Sequence, residues 1–192
     1  MILARRFLPV ARKPKSPFRE AAEILGIALF LSLFIRTSVA EARYIPSESM
    51  LPTLEVGDRL VIEKVAYRLH APTRGDIVVI KSPSGDAIPL IKRVIGLPGE
   101  RISIHAGKVW IDGKPLVEPY VLEAPLYDEP NWLALGLPGG LIPDGKVFLM
   151  GDNRNNSRDS HMLGAMPLDD IIGHTVFRFW PPSRVGAVGS RD

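Results

Sequence analysis

Two serines and one lysine are the residues of this chain whose types and surroundings suit covalent hydrolytic chemistry. The serines stand two apart in "YIPSESMLPTLEVGDRLVIEK", Tyr44 to Lys64, as Ser47 and Ser49. A serine hydroxyl is a weak nucleophile until a base takes its proton. Lys92, in "IPLIKRVIGLPGE", follows Leu90 and Ile91 and precedes Arg93, Val94 and Ile95. On a strand, period-two alternation puts Lys92 on the face of Leu90 and Val94, where its ammonium meets apolar neighbours. Desolvation lowers a lysine's pKa, at about 1.4 kcal/mol per tenfold loss of proton affinity, and leaves an amine able to act as a base near neutral pH. Both pieces also have plain structural readings. Serines beside proline are ordinary turn residues, and a lysine stem can snorkel to water.

Other hydrolytic chemistries lack their residues. The chain has no cysteine, which excludes a thiol nucleophile, a Cys-based zinc site and any disulfide. There is no HExxH and no G-x-S-x-G, and His70, His105, His161 and His174 stand in unrelated contexts, as surface or structural histidines do. The run "GDNRNNSRDS", Gly151 to Ser160, fails as a calcium loop because Arg154 stands where a ligand is needed and Ser157 where a glycine is needed. Its plain reading is a tight polar loop.

The elements that must hold these residues are legible in outline. A length of 192 residues suits one domain with an appendage. The net charge of +3 is uneven, with seven Lys/Arg against two acids in residues 1–40 and seventeen against nineteen in 41–192. A nearly neutral body lacks the cationic face of a nucleic-acid binder, so nucleic acid is not an expected partner. Arg5, Arg6, Arg12, Lys13, Lys15 and Arg19 make 1–20 a basic tail, ahead of the apolar stretch Ala21 to Ala40. As a helix those twenty residues rise about 30 Å, the thickness of the hydrocarbon core. The expectation is a single transmembrane anchor, 21–40, with the N-terminus in the cytoplasm and the domain 41–192 on the far side, since flanking positive charge stays inside. The uncharged run, Ile24 to Ile35, is only twelve residues, and Ser38-Val39-Ala40 has a small-x-small pattern, so a cleaved leader is the rival reading.

Residues 41–192 read as mainly β, in short β-branched runs such as "RLVIEKVAY", "DIVVIK", "KVFLMGD" and "IIGHTVFRFW" broken by Gly, Pro and Asp. Ala106-Gly107 and Asp112-Gly113 flank the alternating segment Lys108 to Ile111, as in a hairpin or small meander. Residues 118–144, rich in Pro, Gly and Leu with little period, read as an irregular excursion between strands, a lobe or flap.

In order along the chain, "IPSESMLPTL", "RGDIVVI", "IKRVIGLPGE" and "GDNRNNSRDS" resemble the nucleophile box, the next strand, the lysine box and the late polar box of the bacterial type I signal peptidases, the S26 family of leader peptidases. The resemblance covers most of the chain. It implies a β-rich signal-peptidase-like catalytic domain behind one N-terminal transmembrane helix. It also implies a membrane-bound serine endopeptidase that removes signal peptides from exported preproteins through an acyl-enzyme, cutting after small residues in an A-x-A pattern. By this resemblance Ser49 is the nucleophile and Lys92 the general base. Ser47 joins the backbone N–H of Ser49 at the oxyanion, Ser157 orients the lysine amine, and Asp159 supports them. The apolar positions matching the family's substrate pocket are Ile45, Pro46, Met50, Leu54, Leu60, Val79 and Ile91. Neither a metal nor an organic cofactor is implied. The implied partners are signal-peptide-bearing preproteins and the lipid bilayer, near the protein-export machinery, with the domain on the extracytoplasmic side of the cytoplasmic membrane. The nine positions from Ala40 to Ser49 span at most about 32 Å, which keeps the nucleophile close to that bilayer.

The chain departs from the family's pattern at Glu48, where Gly is frequent, at Asn155, where Asp is frequent, and at His161, where Arg is frequent. Leu90 replaces an aromatic residue found in some members, which implies a wider pocket. Two other function classes fit the chain less well. A self-cleaving Ser/Lys peptidase of the repressor type would need a DNA-reading domain, and a non-catalytic tethered β-domain that binds exported peptides would not need Ser49, Lys92 and Ser157 together.

Overall fold

The computed structural model describes residues 16–188 apart from 84, 86 and 87; residues 1–15 of the basic tail lie outside them. The first helix, α1 (Pro17–Phe34), starts at Ser16, whose hydroxyl accepts from the N–H of Arg19 at 3.3 Å, and Pro17 fills a first-turn position that needs no N–H. A π-helical turn, Ile35–Val39, continues it. Ile, Leu, Phe and Ala lie on every side, so no face is reserved for a core, and none of its residues is buried. The helical stretch Pro17–Val39 is long and apolar enough to cross a membrane, rising about 34 Å. It begins four residues before the anchor expected from hydropathy and ends one residue earlier, because Ala40 already pairs as a strand.

The body is mainly β, as the sequence pattern implied. Its strands are β1 (Ala40–Tyr44), β2 (Arg59–Glu63), β3 (Ile77–Ile80), β4 (Leu90–Gly96), β5 (Ile102–His105), β6 (Lys108–Ile111), β7 (Lys114–Pro115), β8 (Lys146–Met150), β9 (Met166–Pro167), β10 (Ile171–Trp180) and β11 (Gly186–Ala187). A short helix, α2 (Ser160–Leu163), separates β8 from β9. The large antiparallel sheet runs β1-β2-β10-β3-β4-β8-β9, with β11 also on β10, and β5-β6-β7 form a second small sheet. Central strand β3 is apolar throughout because both of its faces are covered. Ile77 and Val79 join the core with Ile45, Met50, Leu54, Leu60 and Ile62, while Val78 and Ile80 join Val94, Val147, Leu149 and Met166 on the other face.

The small sheet is the expected meander. Ala106 and Gly107, then Asp112 and Gly113, all take positive φ, which is what tight two-residue hairpin turns require. Its Ile102, Ile104 and Val109 pack with Phe148 and Met150 of β8. Residues 118–144 hold one short 3₁₀ turn, Pro138–Gly140, and are otherwise irregular. They are tied down by Trp132 and Leu137 in that same core, the Trp132 ring lying edge-on to Phe148 at 5.9 Å. That burial argues against a free flap.

Candidate active site

Ser49 sits in the loop between β1 and β2, and the loop is pinned at both sides. Ile45 and Met50 are buried in the core, and the N–H of Leu51 returns to the carbonyl of Glu48 at 3.0 Å. The late polar loop staples it from outside. Asn153 donates its N–H to the carbonyl of Ser49 at 3.1 Å and its side-chain amide to the carbonyl of Glu48 at 3.2 Å, and Thr53 donates to Asp152 at 2.5 Å. Asp152 in turn receives Nε and Nη2 of Arg93 at 2.8 and 2.7 Å, a buried bidentate pair with the Tyr120 ring 3.8 Å from the guanidinium.

Lys92 lies on β4 opposite Val78 of β3, between Leu90 and Val94, and only 3% of it is exposed. Its Nζ donates to Ser49 Oγ at 2.7 Å and to the carbonyl of Ile91 at 2.9 Å. Burial pushes its pKa below the ordinary lysine value, and the negative charges of Asp159 and Asp152 pull partly the other way. A serine hydroxyl at hydrogen-bond distance from a desolvated amine is the geometry in which the amine removes the serine proton. Ser47 Oγ stands 3.4 Å from Ser49 Oγ.

The expected support residues lie together in the late polar loop. The Ser157 hydroxyl donates to Asp159 Oδ2 at 2.5 Å. The same oxygen accepts the N–H of Gly151 at 2.8 Å, while Oδ1 faces Nδ1 of His161 at 2.8 Å. A carboxylate only accepts, so that imidazole nitrogen carries the proton. A Cβ built on Gly151 would overlap Ser157 Oγ and the carbonyl oxygen of Ser49, so two parts of the site meet across a residue that must lack a side chain. "GDNRNNSRDS" marks the loop, but nothing local in it marks this close approach.

An apolar cleft of about 570 Å³ opens beside the serine. Ile45, Pro46, Met50 and Ile91 line it as expected, together with Ser47, Ser49 and Lys92. Leu54, Leu60 and Val79 do not. They are fully buried in the same core as Ile45 and Met50, Leu60 and Val79 turned inward by β2 and β3 and Leu54 from the loop before β2. The wall instead includes Arg43, Tyr44, Ile88, Pro89 and Leu90. Among the described residues no three His, Asp or Glu side chains gather as metal ligands would.

The chain matches the family model "Signal peptidase, peptidase S26" over residues 18–180. It is 51% identical over 181 residues to a probable signal peptidase I-1 of Synechocystis sp., across 90% of this chain and 87% of that protein. A signal peptidase I of Leptolyngbya laminosa is 47% identical over 191 residues, across 94% and 90%. Signal peptidase I T of Bacillus subtilis is 36% identical over 176 residues, across 89% and 90%.

Proposed function

The chain belongs to the signal peptidase S26 family, and on that premise we propose that it is anchored by its N-terminal helix, with its peptidase domain on the outer face of the cytoplasmic membrane and Ser49 and Lys92 as its catalytic pair. It is a serine peptidase that removes N-terminal signal peptides from preproteins. The observation that carries the assignment of the pair is the 2.7 Å contact between a buried lysine amine and Ser49 Oγ at the end of an apolar cleft.

Neutral Lys92 takes the proton of Ser49 as Oγ attacks the carbonyl carbon before the scissile bond. The oxyanion is met by the N–H of Ser49 and the hydroxyl of Ser47; losing one such donor typically costs about 100- to 1,000-fold in rate. Protonated Lys92 then gives its proton to the leaving amine as the C–N bond breaks, leaving the signal peptide as an ester on Ser49. The neutral amine next takes a proton from water, whose oxygen attacks the ester carbonyl, and returns it to Oγ as the signal peptide departs. Asp159, held by Ser157 and His161, steadies the positive form of Lys92.

The substrate lies extended beside Leu90 and Ile91, so alternate side chains enter the cleft and the first and third positions before the cut must be small. Cleavage of a preprotein with Ala at both positions tests this, read by the masses of the products. Cutting after the first Ala is expected, and Phe at either position lowers kcat/KM about 100-fold or more. Equal rates for Ala and Phe would overturn the cleft assignment. The short path between Val39 and Ser49 supports a domain held close to the bilayer.

A further inference from the structure

Residues 118–144 grip the polar loop at three points. Glu118 receives Arg154 Nη1 and Nη2 at 2.9 and 2.5 Å, and Arg154 Nε holds the carbonyl of Gly151 at 3.0 Å. Asn155 accepts the N–H of Leu126 at 2.9 Å and donates to the carbonyl of Ala124 at 3.1 Å. The Tyr127 ring stacks on His161, with centroids 4.4 Å apart and planes inclined by 13°. The Tyr127 hydroxyl is buried with no hydrogen-bond partner among the described residues, so its ring, not its oxygen, accounts for the residue. His161 is thus held between an aromatic face and the carboxylate that carries Ser157 and the N–H of Gly151.

We propose that Tyr127 is a positioning residue for the general base, setting the plane of His161 and through it Asp159, and that residues 118–144 serve as a clasp on the catalytic polar loop. The inference rests on the Ser49–Lys92 reading above. Its physical route is short. With the ring gone, the His161 side chain is free to turn from Asp159, whose Oδ1 then keeps only the His161 backbone N–H at 3.2 Å and whose charge acts on Lys92 with less to offset it. The charged or titratable groups around His161 are Asp159, Tyr127, Arg154 and Arg158, and those acting on Lys92 are Asp159 and Asp152.

The test compares Tyr127→Leu and Tyr127→Phe in the full chain in detergent, with preprotein cleavage followed against pH and Tm measured for each. For Tyr127→Leu, kcat falls about threefold to tenfold, KM stays unchanged, and the acid limb of kcat moves to higher pH. Tyr127→Phe keeps the ring and drops only the unpartnered hydroxyl, so it restores the wild-type kcat and pH profile. Wild-type kcat and pH profile in Tyr127→Leu overturn the proposal, as does a loss that leaves the acid limb unmoved or that Tyr127→Phe shares. Failure of the reading beneath it looks different: wild type itself would not cut, or Lys92→Met would cut as fast as wild type.

Discussion

Lys92→Met is expected to yield a protein that no longer processes preproteins, at least about a thousandfold slower than wild type, and that melts at a higher temperature near neutral pH. Both effects come from one placement. The amine is within reach of Ser49 Oγ and of the carbonyl of Ile91, and its side chain is buried away from water. Methionine fills similar volume without a polar head, so the cleft wall stays and the base is lost. The stability change has a defined sign and pH window. Burial sets the folded-state pKa of Lys92 below its ordinary 10.5, so between the two values the unfolded chain binds more protons than the folded one. The lysine therefore destabilises fully below the folded value, and that cost fades as pH rises toward 10.5. The Tm advantage of Lys92→Met is accordingly largest below the folded value and shrinks as pH rises toward 10.5. Calorimetry across that range checks it, and a variant less stable than wild type at neutral pH would refute the buried-amine picture.

Gly151→Ala is expected to cost about 100- to 1,000-fold in cleavage while lowering Tm by only several degrees. A methyl group there meets Ser157 Oγ, Ser157 Cβ and the carbonyl oxygen of Ser49. Gly151 cannot drift to relieve it, since Asp159 holds its N–H and Arg154 its carbonyl. The displacement falls on the Ser49 loop and on the Ser157–Asp159 pair, where shifts near 1 Å are costly to catalysis. Gly186→Ala is the control, because its added methyl meets nothing within 4 Å. Cleavage by Gly151→Ala at the rate of that control would show that the two loops do not depend on this contact.

The proposed catalytic pair is legible in the sequence because its signal is local: Ser49 and Lys92 each lie in a short, ordered motif. The β body was legible for a similar reason. A fully apolar run such as Ile77–Ile80 marks a strand covered on both faces, and paired turn residues at Ala106-Gly107 and Asp112-Gly113 set the meander. The pocket was only half readable. Apolar type does not separate Ile45 and Met50, which line the cleft, from Leu54, Leu60 and Val79, which share their core and do not. Ile88 and Pro89 reach the wall from outside any strand. Strand β1 was hidden because the alternation in "AEARY" rests on alanines, which are depleted in strands, and because it borrows its order from pairing with β2. Gly151, Asn153 and the clasp at Tyr127 were invisible because their contacts join segments far apart in the chain, such as Arg154 with Glu118 and Asn153 with Ser49.

The most direct measurement is of the covalent intermediate. Wild-type enzyme is mixed with a preprotein bearing Ala at both specificity positions, quenched in acid within the first turnover, digested and mapped by mass. The expected result is the signal-peptide fragment esterified to Ser49, absent from Ser49→Ala and Lys92→Met. An adduct on another residue, or wild-type turnover by Ser49→Ala, would contradict the assignment of the nucleophile.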